Sequence, residues 1–259
     1  MLGAIVGDII GSYYEEFNAK SIEFDLFHPK SHYTDDSVMT LAVAKWILEG
    51  EMTKANLIRC MKIMGYRHLG AGYGRLFYCW LRSNTPMPYN SFGNGSAMRI
   101  SPIGIYAKSL RETIDLAKTT AEVTHNHPEG IKGAQAIAAA IFMARHKTSK
   151  SEIKEYIERT FNYDLSRSIS NIRKDYSFNS SCQLTVPESI IAYMEGDSFE
   201  QVIRLAISLG GDSDTIACMA GSIAACTYDI PQNIIEWCEN KLPDDLKGVL
   251  TLFCQKYNC

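Results

Sequence analysis

Strand signals are nearly missing from this chain of 259 residues. Runs of β-branched residues alternating between turn signals hardly occur, which argues against sandwiches, barrels and α/β sheets. None of the eight cysteines (Cys60, Cys79, Cys182, Cys218, Cys226, Cys238, Cys254 and Cys259) forms a C-x-x-C pair. Zinc ribbons and dithiol redox motifs are therefore not expected, and a chain this long has no need of disulfide staples. The longest apolar runs, such as AIAAAIFMA at 136–144, fall well short of the about 18 residues of a membrane span. The opening MLGAIVGDIIGS lacks a basic n-region and is interrupted by Asp8, so it reads as part of the fold and not as a secretory signal. There is no basic surplus either. Lys and Arg number 26 against 29 Asp and Glu, a net charge of −3, whereas coating a duplex needs a strongly cationic face. Sequence-specific DNA binding and membrane association are not expected, and a reduced, cytoplasmic protein is.

What the chain does have is core-forming material: 46% hydrophobic against 21% charged residues, the balance of an ordinary globular protein. The dominant period is helical. Apolar residues recur at 3- and 4-residue spacing within 41–48, 57–64, 111–122, 130–145, 151–160, 187–194, 198–208, 214–226 and 231–257. The segment Ala134–Ala144 is rich in alanine, the best helix former. Thr53, Ser149 or Ser151, and Ser198 stand where N-caps belong, and Pro231 and Pro243 fit first turns or breaks just before them. Glycine-rich breaks fall at 68–74, 92–97 and 208–214. Long loops are expected near 17–35, 81–100 and 161–186. With no linker, charge block or repeat, residues 1–259 read as one all-α domain.

Two acidic motifs stand immediately before small-residue apolar helices. One is Thr34-Asp35-Asp36-Ser37; the other is Gly210-Gly211-Asp212-Ser213-Asp214-Thr215. Helix capping is the plain explanation for either alone. A cap needs one acceptor, however, and each motif supplies two carboxylates plus hydroxyls. Neighbouring buried carboxylates repel unless a cation offsets them. Clustered carboxylate and hydroxyl oxygens are hard ligands, suited to Mg²⁺ or Mn²⁺ and not to Zn²⁺. If the two helix starts converge, they can hold one or two such ions.

Three further features are weaker. Phe92-Gly93-Asn94-Gly95-Ser96-Ala97-Met98-Arg99 is either a plain turn or a loop that offers backbone N–H groups to a phosphate. His125-Asn126-His127 precedes the Ala-rich helix and lacks further ligands nearby, so a solvated capping loop is the default. Gly7-Asp8-Ile9-Ile10-Gly11 places an Asp in an apolar helix, where it needs a partner, structural or functional.

Taken together, GDIIGSYYEE, YTDDSVMT, GNGSAMRISPIG, THNHPEGIKGAQA, CQLTVPE and SLGGDSDT resemble, in order, the motif blocks of the ADP-ribosylglycohydrolases, the family of dinitrogenase reductase-activating glycohydrolase. The resemblance runs from residue 3 to beyond residue 222. It implies a compact, orthogonal multi-helix bundle with a binuclear Mg²⁺ or Mn²⁺ site. Carried residue by residue, the ligands are Thr34, Asp35, Asp36, Asp212, Asp214 and Thr215, with Asp214 bridging. The resemblance further implies that Gly93, Asn94, Gly95 and Ser96 cradle the phosphates of ADP-ribose with His125 on the diphosphate side. It puts Glu15 near the scissile ribose, with Asp35 or Asp36 as other candidates for the general base. Glu16 fits the Glu15 position to within one residue, and Ser37 and Ser213 stand where Thr is also common. No ligand is lost. The implied reaction is hydrolysis at C1″ of the distal ribose of an ADP-ribosylated protein, an ADP-ribosylated nucleic acid or a small ADP-ribose derivative. The competing readings are a non-catalytic ADP-ribose-binding module and a metal-dependent nucleotide phosphohydrolase. The latter lacks the His-Asp dipeptide of HD-type sites.

Overall fold

The computed structural model describes residues 1–258. Every named element in it is a helix, as the missing strand signals predict, and the β-type pairing recorded among these residues is an isolated bridge between Gly93 and Ser181. In chain order the helices are α1 (Leu2–Phe17), α2 (Asp35–Glu49), α3 (Lys54–Arg67), α4 (Arg75–Arg82), α5 (Gly95–Met98), α6 (Ser101–Tyr106), α7 (Leu110–Glu122), α8 (Pro128–Arg145), α9 (Lys150–Phe161), α10 (Ile169–Asp175), α11 (Cys182–Glu195), α12 (Phe199–Ile207), α13 (Ser213–Ala224), α14 (Gln232–Glu239) and α15 (Asp244–Tyr257). No helix among the described residues is long and apolar enough to cross a membrane.

The expected caps form. Thr53 accepts from the Asn56 N–H and Ser198 from the Gln201 N–H, both at 3.2 Å. Of the two serines before α9, Ser149 is the cap, closed by Glu152 into a reciprocal capping box. The periodic stretch 231–257 is broken at Pro243 into α14 and α15, because proline offers no N–H to continue the first of them. Two expectations fail. The stretches 81–100 and 161–186 are not continuous loops: they contain α5 and α10, both too short to show a full amphipathic period. In addition, α11 starts at Cys182, five residues earlier than the apolar pattern suggests, with Pro187 inside it. So near a helix start, proline removes only one intrahelical bond.

The core is organised around α1 and α13. Every residue of α13 is buried, as are most of α1, the condition of helices enclosed on all sides. Their axes approach closely because one face of α1 carries Gly3, Gly7 and Gly11. A Cβ at Gly3 or Gly7 would sit inside the carbonyl oxygens of Gly221 or Ala217, and one at Gly11 would lie 2.5 Å from the Asp214 Cα. This contact seats the start of α13, with its acidic motif, against the C-terminal half of α1. Gly248 in α15 offers the contrast, since nothing lies within 4 Å of its would-be Cβ. Gly248→Ala is expected to stabilise the protein by about 0.5–1 kcal/mol, the helix-propensity difference, which a thermal melt will show as a rise of roughly 2 °C.

Candidate functional site

The helix starts that sequence alone could not bring together do converge. Thr215 Oγ1, in the first turn of α13, donates to Asp36 Oδ2, in the first turn of α2, at 3.0 Å. Asp8 of α1 fastens the other side. Its Oδ1 accepts from Thr34 Oγ1 at 2.7 Å, and its Oδ2 accepts from the Thr34 and Ser37 N–H groups, each at 3.0 Å, and from Ser37 Oγ. Asp8 therefore caps α2 from a neighbouring helix. Because Asp8 satisfies these donors, the carboxylates of Asp35 and Asp36 are not consumed as caps.

A cavity of about 550 Å³ opens at this junction. Glu15, Thr34, Asp35, Asp36, Asp212 and Asp214 line its acidic end, together with Thr215. Gly93, Asn94, Gly95 and His125 line it as well, with Asn94 touching Asp212. Two sets of carboxylate oxygens each fall within 4.8 Å of one another: Asp8, Asp36 and Asp214, and Glu15, Asp212 and Asp214. Asp214 is common to both. Asp35 is in neither set and stands on the wall facing Gly72. Glu16 does not line the cavity, so the carboxylate that faces it from the doubled pair is Glu15.

Capping does not account for these acids. Asp212 is the N-cap residue of α13, yet its side chain makes no cap hydrogen bond and instead accepts from Asn94 Nδ2 at 2.7 Å. Asp36 Oδ1 is buried with no donor among the described residues, although buried acceptors are almost always satisfied. An orphaned carboxylate oxygen in a nest of further carboxylate and threonine oxygens fits a hard divalent cation.

The electrostatics point the same way. Burial, and then the charge of Asp214, raise the Asp8 carboxyl to about 6 and the Glu15 carboxyl to about 7. The same two causes hold Asp35, Asp36 and Asp212 well above the ordinary carboxylate range. Burial raises Asp214 itself. For an acid, a folded-state value above the unfolded one means that the folded, metal-free protein binds more protons. Its stability then falls as pH rises from the ordinary carboxylate value through about 6 to 7. Metal-stripped protein is accordingly expected to melt several degrees higher at pH 5.5 than at pH 7.5. Saturating Mg²⁺ should flatten or invert that trend, because ligand carboxylates bind the ion deprotonated. A metal-stripped protein that melts higher at pH 7.5 would contradict the clustered-acid picture.

The glycine loop is built differently from a simple cradle of free N–H groups. The Gly93 N–H donates to Ser91 Oγ at 3.0 Å and the Asn94 N–H to the Ser180 carbonyl at 2.8 Å, so both are already engaged. Ser96 turns inward: its hydroxyl donates to the Gly130 carbonyl at 2.7 Å and it does not line the cavity. The Ser96 hydroxyl, expected in the phosphate cradle, instead holds the loop to the start of α8. Gly95 is favoured by proximity and not by backbone conformation, since a Cβ there would lie 3.0 Å from His125 Nε2 and press on the ring. Gly210 and Gly211 do adopt positive φ, +72° and +69°, forming the turn that delivers Asp212. Asn18 Oδ1 accepts from the Gly211 N–H at 2.7 Å and fixes that turn.

Several participants escape sequence reading. The pairing of Asn94 with Asp212 spans 118 positions and leaves no local signal. Phe178 and Ser180 border the cavity from a segment with no motif of its own. Gly70, Gly72 and Gly74 border it as well, and were visible in the sequence only as a break.

The chain matches the family model for ADP-ribosylglycohydrolase over residues 1–256. It is 24% identical to mouse ADP-ribosylhydrolase ARH3, over 92% of this chain and 85% of that protein. With the ADP-ribosylarginine hydrolase Tri1 of Pseudomonas putida it shares 25% identity, over 92% of this chain and 72% of that one. Among solved structures, an ADP-ribosylglycohydrolase-related protein complex superposes with a TM-score of 0.73 at 20% identity, covering 98% of this chain and 96% of that chain. On the match across nearly its full length, this chain belongs to the ADP-ribosylglycohydrolase family.

Proposed function

We propose that this protein is a hydrolase that cleaves the C1″ linkage of ADP-ribosylated substrates and releases ADP-ribose. It would hold two Mg²⁺ or Mn²⁺ ions on Thr34, Asp35, Asp36, Asp212, Asp214 and Thr215. The observation that carries this reading is the pair of carboxylate sets sharing Asp214, which bring Asp36 and Asp212 together beside the cavity; Asp35 lines the cavity outside both sets and joins the ligands on the family resemblance. Family membership supplies the substrate class.

Divalent ions there supply Lewis-acid polarisation and a template for the ribose hydroxyls. The chain's own residues do the rest. Asp214, shared by both sets, joins them into one cluster. Asp8 fixes Thr34 and the start of α2, and Asn94 orients Asp212 through a 2.7 Å hydrogen bond. Glu15, which lines the cavity and is not among the proposed ligands, can accept a proton from water and return it. Asp35 and Asp36 are poorer bases once committed as ligands. Carboxylates flanking the anomeric carbon also favour its oxocarbenium character. His125, beneath Gly95, faces the part of the cavity assigned to the diphosphate.

The proposed ligands are all oxygens, so the free, buried thiols Cys60, Cys182, Cys218 and Cys238 are not needed as ligands, although Cys218 lies against Asp36; free thiols suit a reducing, cytoplasmic setting. The leaving group is read experimentally. The protein is incubated with Mg²⁺ and a panel of ADP-ribosyl-arginine, ADP-ribosyl-serine, ADP-ribosylated nucleic acid and small ADP-ribose esters, and the products are resolved by mass spectrometry. Free ADP-ribose from at least one linkage is the expected result. AMP or phosphate would instead indicate a phosphohydrolase, and no product with tight ADP-ribose binding would indicate a binding module.

A further inference from the structure

Arg99 is fully buried and has no carboxylate partner among the described residues. Its Nη2 donates twice, to the Thr120 carbonyl at 2.7 Å and to Thr124 Oγ1 at 2.8 Å. Thr124 is itself fully buried, and its Oγ1 lies 2.7 Å from His125 Nδ1. His125 borders the cavity, with Nε2 beneath the glycine loop.

The donor inventory narrows where the protons can be. A guanidinium has no acceptor, so Thr124 Oγ1 must accept from Arg99. The hydroxyl then has one proton of its own to place: His125 Nδ1 lies 2.7 Å away, and the Tyr89 hydroxyl is its other neighbour. The opposite arrangement, with Nδ1–H donating to the hydroxyl, would turn the hydroxyl proton from the 2.7 Å Nδ1 contact onto Tyr89 Oη, which has a proton of its own and can serve Thr124 as a donor instead. Burial and the neighbouring Arg99 charge also push the imidazole well below its ordinary value, which keeps it neutral. A neutral ring that accepts at Nδ1 carries its proton on Nε2.

We infer that Arg99 and Thr124 are positioning residues that lock His125 as an uncharged Nε2–H donor at the cavity wall, presented to an acceptor oxygen of the ligand. The relay gives a positive charge without a counter-ion a use: Arg99 borders the cavity itself and, through Thr124, orients a donor that pH does not switch on or off near neutrality. The ligand's identity as ADP-ribose, with a phosphate oxygen as the acceptor, rests on the proposed function. The tautomer does not.

Two readouts test it on the full chain. Long-range ¹H–¹⁵N NMR of ¹⁵N-histidine-labelled, ligand-free protein reports which ring nitrogen of His125 is protonated, with the His125→Gln spectrum giving the assignment. Calorimetry with ADP-ribose reports whether the donor is used. Wild type is expected to show protonated Nε2 and bare Nδ1. Thr124→Val, near-isosteric but unable to donate, should move protonation towards Nδ1 and weaken ADP-ribose binding roughly tenfold, the worth of one hydrogen bond in a buried site. Thr124→Ser, which restores the hydroxyl, should recover both, and circular dichroism establishes that each variant is folded. Protonated Nδ1 in wild type, an unchanged tautomer in Thr124→Val, or a changed tautomer with unchanged affinity would each overturn the inference. If wild type failed to bind ADP-ribose at all, the proposed function would fall, and the ligand-free NMR result would still decide the relay.

Discussion

Asp214→Asn should all but abolish ADP-ribose release while making the metal-free protein more stable. The two effects have one origin. Asp214 is the residue shared by both carboxylate sets, and its charge is the leading electrostatic cause of the raised carboxyls at Asp8, Glu15, Asp35, Asp36 and Asp212. Exchanging the carboxylate for an amide removes that repulsion in the metal-free state. It leaves an oxygen to accept from the Thr215 N–H, as Asp214 Oδ1 now does at 2.9 Å. A gain of about 1–2 kcal/mol is typical when a strained functional group is neutralised, equivalent to roughly 5 °C in melting temperature. Activity moves the other way. A metal that polarises the reacting oxygens contributes several kcal/mol to the transition state, so its displacement should cost about 10³-fold in turnover. Mg²⁺ should also cease to raise the melting temperature, since stabilisation by a ligand requires that the folded state bind it. A variant with normal turnover at ordinary Mg²⁺ would remove the assignment of Asp214 as a shared ligand.

The second large effect is structural. Gly7→Ala places a methyl group inside the Ala217 carbonyl and against the Cys218 nitrogen, both of them backbone. A flexible side chain can yield to such an intrusion, but a buried helix has to translate as a unit. The expected loss is about 3 kcal/mol or more, or roughly 10 °C in a thermal melt. Any shift of α13 away from α1 also carries Asp212 and Asp214 with it. Residual folded Gly7→Ala protein should therefore need more Mg²⁺ for half-maximal activity. A melt within 2 °C of wild type, against the small stabilisation expected for Gly248→Ala, would contradict the close α1–α13 crossing.

These two sites mark what the sequence could and could not convey. The acidic motifs were legible because two Asp with hydroxyls at a buried helix start have no economical structural use. The helical periods and several caps were legible because they are local. Gly3, Gly7 and Gly11 were visible as residues, but their meaning depends on Gly221, Ala217 and Asp214 lying opposite, more than 200 positions away. Asp8 was an open question for the same reason: its partners Thr34 and Ser37 lie 26 and 29 positions on. The glycine loop was legible as a loop and misleading in detail, since Ser96 resembles a phosphate ligand until its hydroxyl is seen to be engaged by Gly130. The Arg99–Thr124–His125 relay combines a sequence neighbour with a buried charge that no periodicity announces.

The central claim is that the shared carboxylate site binds divalent metal and uses it to release ADP-ribose. The most direct measurement is mass-spectrometric detection of free ADP-ribose from an ADP-ribosylated substrate, using protein stripped with EDTA and then reloaded with Mg²⁺ or Mn²⁺. No ADP-ribose from the stripped protein, recovery on reloading, and no recovery in Asp214→Asn is the predicted result. Equal release with and without metal, or recovery that survives Asp214→Asn, would contradict it.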